Sequence, residues 1–145
     1  MRKTYATLAL IACLATSSAC TSAPAPAKPD ADPNTISPTC GSEINVHGKG
    51  YDLEGRNCLW EAYQNDKKAS LAITIHTIEG DPIKYLINVH HKDDIDLTID
   101  SHDHFGAQGV RHTKCGSIMK FPGPQGRYGF TFQGCKDGPT ELTIR

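Results

Sequence analysis

LAITIHTIEGDPIKYLINVH, from Leu71 to His90, is the stretch that decides the fold. In its first half Leu71, Ile73, Ile75 and Thr77 alternate with Ala72, Thr74, His76 and Ile78. Gly80-Asp81-Pro82 then interrupts the pattern, and Ile83, Tyr85, Ile87 and Val89 alternate with Lys84, Leu86, Asn88 and His90. Successive side chains of a strand point to opposite faces, so a period of two on both sides of a Gly/Pro breaker predicts an antiparallel hairpin.

The pattern continues outward. His91-Lys92-Asp93-Asp94 makes the next turn, after which Ile95, Leu97 and Ile99 point inward while Asp96, Thr98 and Asp100 point outward. Two further strands fit His112 to Phe121 and Arg127 to Gln133, joined by the turn PGPQG, which makes five; Glu141 to Ile144 is a candidate for an additional short edge strand. Tyr128, Phe130 and Phe132 alternate and share a core face. Upstream, Leu53 to Lys68 is the one good helix candidate, with Leu59, Trp60 and Tyr63 as its apolar stripe and its start either capped by Asn57 or placed nearer Leu53. The expected fold is α+β: an N-terminal helix packed on one face of a five-stranded, mostly antiparallel meander, with the other sheet face wet.

Before the helix the chain changes character. Arg2 and Lys3 precede the apolar run Tyr5 to Ala15, and Ser17, Ser18 and Ala19 supply the small residues of a cleavage site. Residues 1–19 therefore read as a secretory or lipoprotein signal peptide. Cys20 stands where a lipoprotein carries its acyl chains, although the Leu usual three residues before such a cysteine is missing. Residues 20–39 are rich in Pro and Ala and cannot bury enough surface to offset their ordering entropy, so they are expected to be a disordered tether. Residues 40–145 are the domain.

The leader takes Arg2 and Lys3 with it, leaving the mature chain two units more negative than the formal charge of −1 for the whole sequence. No Lys/Arg stripe follows, which argues against a nucleic-acid partner. The domain has no amphipathic anchoring helix, so the bilayer is expected to be a partner only through an acyl anchor. The expected location is the bacterial cell envelope, as a periplasmic or outer-membrane-anchored lipoprotein or otherwise as a secreted protein.

Cys40, Cys58, Cys115 and Cys135 allow three pairings. Sequence order and the inferred strands favour Cys40 with Cys58 and Cys115 with Cys135. Each would close a loop of about 20 residues and contribute roughly 3 kcal/mol by constraining the unfolded chain. No Cys-x-x-Cys motif or zinc-finger spacing occurs, so redox and Cys-based metal chemistry are not expected.

Seven histidines are many for this length. His76 and His90 fall on the expected polar sheet face, with Asp96 and Asp100 on the next strand, while His102 and His104 lie in Asp100-Ser101-His102-Asp103-His104. His76, His90, His102, His104 and Asp100 are the set that would hold Zn²⁺, Ni²⁺ or Cu²⁺; otherwise no cofactor is expected. The plain alternative is a solvated polar face. No catalytic residues are assigned: Glu79 and Asp103 have nothing fixing their separation, and Ser101 beside His102 is not a triad by adjacency.

The string Ile75-His76-Thr77-Ile78-Glu79-Gly80-Asp81-Pro82-Ile83, followed by Asp100, Asp103-His104-Phe105-Gly106 and Gly134-Cys135, resembles a family of small bacterial secreted or lipoprotein-type proteins with no assigned function. The resemblance spans about Leu59 to Cys135. It implies an envelope protein and a Cys115–Cys135 bond, and it supplies no catalytic residues. Its markers are the turn Glu79, Gly80, Asp81, Pro82 and the loop Asp100, Asp103, Phe105, Gly106.

The functional expectation is a non-enzymatic binding or interaction domain tethered outside the cytoplasmic membrane, whose partner is an envelope or extracellular protein. Transition-metal binding through surface His and Asp residues is the alternative, and inhibition of a secreted enzyme is a further one.

Overall fold

The computed structural model describes residues 38–145. The signal peptide, Cys20 and residues 20–37 of the tether lie outside the described residues. Eight strands and one α-helix follow in the order β1 (Ser42–Val46), α1 (Leu53–Gln64), β2 (Ala69–His76), β3 (Pro82–His91), β4 (Asp94–Ser101), β5 (Gly109–Cys115), β6 (Ser117–Pro122), β7 (Tyr128–Gln133) and β8 (Glu141–Ile144).

The expected hairpin is β2–β3, with Leu71 opposite Ile87 and Ile73 opposite Tyr85. Strand β4 continues it, placing Leu97 opposite Ile87 and Ile99 opposite Tyr85. Ala69, Val89, Ile95 and Cys115 form one further inward row across β2 to β5.

Two features of the expected fold are corrected. The helix is not N-terminal: β1 precedes it and pairs in parallel with β2, Ile44 against Thr74. The five-stranded sheet β1-β2-β3-β4-β5 is therefore mixed. Parallel neighbours need a crossover, and α1 is that crossover. Strand β1 escapes sequence reading because its pattern is inverted. In SEINV the apolar Ile44 and Val46 face out, while Glu43 and Asn45 are buried.

The meander is also broken. The single strand expected over His112–Phe121 divides at Gly116, whose N–H donates to the carbonyl of Gln133. β5 closes the first sheet, and β6 starts a second, three-stranded antiparallel sheet β6-β7-β8. The cover over the first sheet is thus shared. Leu59 and Tyr63 of α1 and Ile118, Phe130, Phe132 and Ile144 of the second sheet join Leu71, Ile73, Ile87, Val89, Ile95, Leu97 and Ile99 in one core.

Local chemistry sets the ends of α1. Asp52 is its N-cap, accepting a hydrogen bond from the Gly55 N–H at 3.0 Å. A Cβ at Gly55 would come within 2.8 Å of the Cys40 carbonyl oxygen, so the first turn packs against the incoming chain only because the residue is glycine. Asn65 ends the helix and Asp66 turns with a positive φ, which stops it short of Lys68. The disulfide Cys40–Cys58 joins the start of the domain to α1, and Cys115–Cys135 joins the β5–β6 break to the end of β7.

Arg56 holds this arrangement together. It lies on the same helix face as Leu59 and Tyr63 and is fully buried, as is Glu43 of β1. Its Nε donates to Glu43 Oε2 at 2.7 Å and its Nη2 to Oε1 at 2.9 Å. Nη1 donates to the Tyr128 carbonyl at 2.9 Å and Nη2 to the main-chain oxygen of Arg145 at 3.1 Å. The guanidinium also lies 4.5 Å from the centre of the Tyr51 ring. Burying two charges is costly, and only a bidentate pair with its remaining N–H groups satisfied offsets that cost. One side chain thus binds the edge of the first sheet, the helix and the second sheet. Tyr63 adds a second tie, its hydroxyl accepting from the Ile118 N–H.

Candidate functional site

The outer face of the first sheet carries most of the residues the sequence singles out. Register places Ser70, Asn88, Asp96 and Lys114 in one row and Thr74, Lys84, Asp100 and Val110 in another. His76 and His90 are on this face but at opposite ends. His76 pairs with Pro82, and His90 lies eight residues further along β3, about 26 Å at the usual strand rise.

The histidines form separate pairs. His90 Nε2 is 3.0 Å from Asp96 Oδ2, His102 Nε2 is 3.2 Å from Asp100 Oδ1, and His104 Nδ1 is 2.9 Å from Asp81 Oδ2. Among the described residues no three His, Cys, Asp or Glu side chains group as a metal-ligand set. A cation held by His102 and His104 would require both imidazoles to turn from the carboxylates they now face.

These pairs organise the sheet's surface and one end of the molecule. Partial burial pushes the Asp96 carboxyl up, but hydrogen bonds from Lys114 and His90 outweigh it and hold the group below the ordinary carboxylate value. The same contacts with Asp96 and Asp94 raise Lys114. At the sheet end, Asp81 accepts from both the N–H and the ring of His104, and the backbone bond is the larger reason its pKa is lowered. The turn Glu79-Gly80-Asp81-Pro82 and the loop Asp100–Gly106 are therefore clamped together, helped by the His102 N–H bond to the Pro82 carbonyl. Within the loop Asp103 accepts from the Phe105 N–H, and a Cβ at Gly106 would strike its carboxylate at 2.4 Å.

A second region has the shape of a binding site. A cleft of about 340 Å³ opens where the end of the first sheet meets the β6–β7 turn. Asn45, His47, Gly48 and Tyr51 line it from β1 and the loop before α1, and Ile75 and His76 from the end of β2. Phe121, Pro122, Pro124, Arg127, Tyr128 and Arg145 line it from the second sheet. Ligand cavities typically start near this volume and combine apolar walls with a few polar groups.

The walls are fixed by the chain around them. The Tyr51 hydroxyl donates to the Tyr128 carbonyl at 2.7 Å and accepts from the Tyr128 N–H at 2.8 Å. Burial pushes the Tyr128 phenol up to about 12, and its hydroxyl donates to Asn57 Oδ1. Arg127 Nη1 donates to the Gly48 carbonyl at 2.8 Å and its guanidinium sits 5.3 Å from the Tyr51 ring. The loop can curl to meet it because Gly48 and Gly50 adopt positive φ, and a Cβ at Gly50 would lie 2.1 Å from the Ile44 carbonyl oxygen.

The charge of the cleft is one-sided. Arg127 and Arg145 line it and no Asp or Glu does. Among the described residues neither arginine has a carboxylate within 4 Å, in contrast to Arg56. His76 adds a buried Nδ1 with no hydrogen-bond partner. Of these residues the sequence marks only His76 as a ligand-holding group, for a metal; Ile75 and Tyr128 read there as strand positions packed in the core. Residues 45–51, 75–76, 121–128 and 145 are far apart in the chain and share no motif, so only the unexpected β1 and the second sheet bring them together.

The two disulfides fit an oxidising, non-cytoplasmic setting. No helix among the described residues is long and apolar enough to cross a membrane. Comparison with protein-family models, curated proteins and solved structures gives no match to this chain.

Proposed function

We propose that this chain is a non-enzymatic recognition domain of the bacterial envelope, held by an acyl anchor at Cys20 and a Pro/Ala-rich tether, and that the cleft between its two sheets is where it engages its ligand or partner. The observation that carries this reading is the cleft itself: aromatic and proline walls, two arginines unpaired with any described carboxylate, and a frame fixed by the buried Arg56–Glu43 pair. A stapled scaffold with a preformed concave site suits binding, because little has to be ordered when the ligand arrives.

The test is site-specific photo-crosslinking in cells that export the full chain. A photoreactive residue at position 121 probes the cleft, and one at position 98 probes the outer sheet face. Adducts formed at 121 and absent at 98 support the cleft. Adducts confined to 98 would move recognition to the outer face, and adducts at neither position would remove both.

A further inference from the structure

We infer that the cleft selects small organic anions: a carboxylate or sulfonate on a flat apolar body. This rests on the cleft being the recognition site and adds the chemistry of what enters it.

Two features of the site combine. The first is charge. Arg127, just before β7, and Arg145, just after β8, reach the cleft, and no acidic side chain lines it to neutralise them. Arg127 has one Nη spent on the Gly48 carbonyl, which orients the guanidinium and leaves further N–H donors for an oxyanion. The second is shape. Phe121, Tyr51 and Pro124 present flat apolar surface beside those cations. Arg145 already lies 5.6 Å from the Phe121 ring centre and Arg127 close to Tyr51, so the positive groups border the aromatic walls. A ligand with an apolar body against the rings and an anionic end toward the guanidinium groups satisfies both at once. A cation would meet two like charges, and a neutral apolar molecule would leave the arginines as they are.

The probes that separate charge from shape are 1-anilinonaphthalene-8-sulfonate and its uncharged counterpart N-phenyl-1-naphthylamine, titrated by fluorescence into the oxidised full chain. The sulfonate is expected to bind saturably at one site. Arg145→Gln and Arg127→Gln are each expected to weaken it about five-fold or more, leaving the neutral probe unchanged. Phe121→Ala is expected to weaken both probes, and Thr98→Ala on the outer face neither. Arg145 is exposed at its side chain, so Arg145→Gln keeps the test valid if loss of the Arg127–Gly48 bond disturbs the loop; unchanged thermal melting checks each variant. Sulfonate binding that ignores both arginine substitutions would overturn the inference. If the neutral probe binds equally well and is lost in Phe121→Ala, the cleft stands as a ligand site and its anion selectivity falls. If neither probe binds saturably, the cleft and its selectivity fall together.

Discussion

Two regions of this molecule gather charge, and they do so to opposite effect. On the outer face of the first sheet, His90, Asp96, Lys114, Lys84, Asp100 and His102 pair in reach of water. At the junction of the sheets, Arg56 and Glu43 pair with no exposure at all. The outer pairs are numerous and partly exposed. The inner pair is single, and its Arg56 bonds Glu43 of β1, the Tyr128 carbonyl of β7 and the main-chain oxygen of Arg145. Burial, more than the number of contacts, decides which charges the fold depends on, because a buried charge that loses its partner cannot turn to solvent.

The largest effect expected from this contrast follows truncation of the inner pair. Arg56→Ala leaves the Glu43 carboxylate buried without its partner and should lower stability by about 3–5 kcal/mol in urea denaturation. A loss under about 1 kcal/mol, the scale of an exposed pair, would erase the distinction between the regions. Next comes the staple at the sheet break: Cys115→Ala with Cys135→Ala should cost about 2–4 kcal/mol, and amide exchange should rise first in β6 and β7, where the second sheet joins the first.

The outer face should respond weakly. His90 and Asp96 are each more than a third exposed, so solvent screening limits their coupling to at most about 1 kcal/mol in a double-mutant cycle. Zn²⁺, Ni²⁺ or Cu²⁺ titrated by calorimetry into the full chain should show no stoichiometric binding that disappears in His102→Ala with His104→Ala. Tight binding lost in that variant would make the outer loops a metal site and reverse the functional order of the two regions.

The smallest effect is one of pH. Asp81 has a lowered pKa because it accepts from His104, so its contribution is complete above its unfolded value of about 4. It is lost as pH falls through the still lower folded value. The clamp between the Glu79–Pro82 turn and the Asp100–Gly106 loop should therefore hold at neutral pH and loosen only in acid below that range. A carboxyl NMR titration placing Asp81 at or above 3.8 would contradict this.

The outer face was legible in the sequence and the junction was not, for the same physical reason. Strands β2 to β4 are long and alternate cleanly, so Leu71, Ile87, Ile95 and their rows declare their face, and the outward histidines and aspartates follow from register. Both disulfides could be placed once those strands were in order. β1 hides because it buries Glu43 and Asn45 and exposes Ile44 and Val46, the reverse of what hydropathy predicts. Arg56 shares its helix face with Leu59 and Tyr63, a spacing that marks it for burial only if a partner is known, and that partner lies on the strand the pattern conceals. Gly116 looked like one residue inside a strand, yet it separates two sheets. The cleft depends on all three and so has no signature of its own.

The most direct test is a pair of double-mutant cycles measured under the same conditions, Glu43→Gln with Arg56→Met and Asp96→Asn with His90→Gln. A coupling of at least about 2 kcal/mol is expected for the inner pair and less than about 1 kcal/mol for the outer one. Equal couplings, or an outer coupling larger than the inner, would contradict the claim that the buried Arg56–Glu43 pair holds the two sheets, and the cleft between them, together.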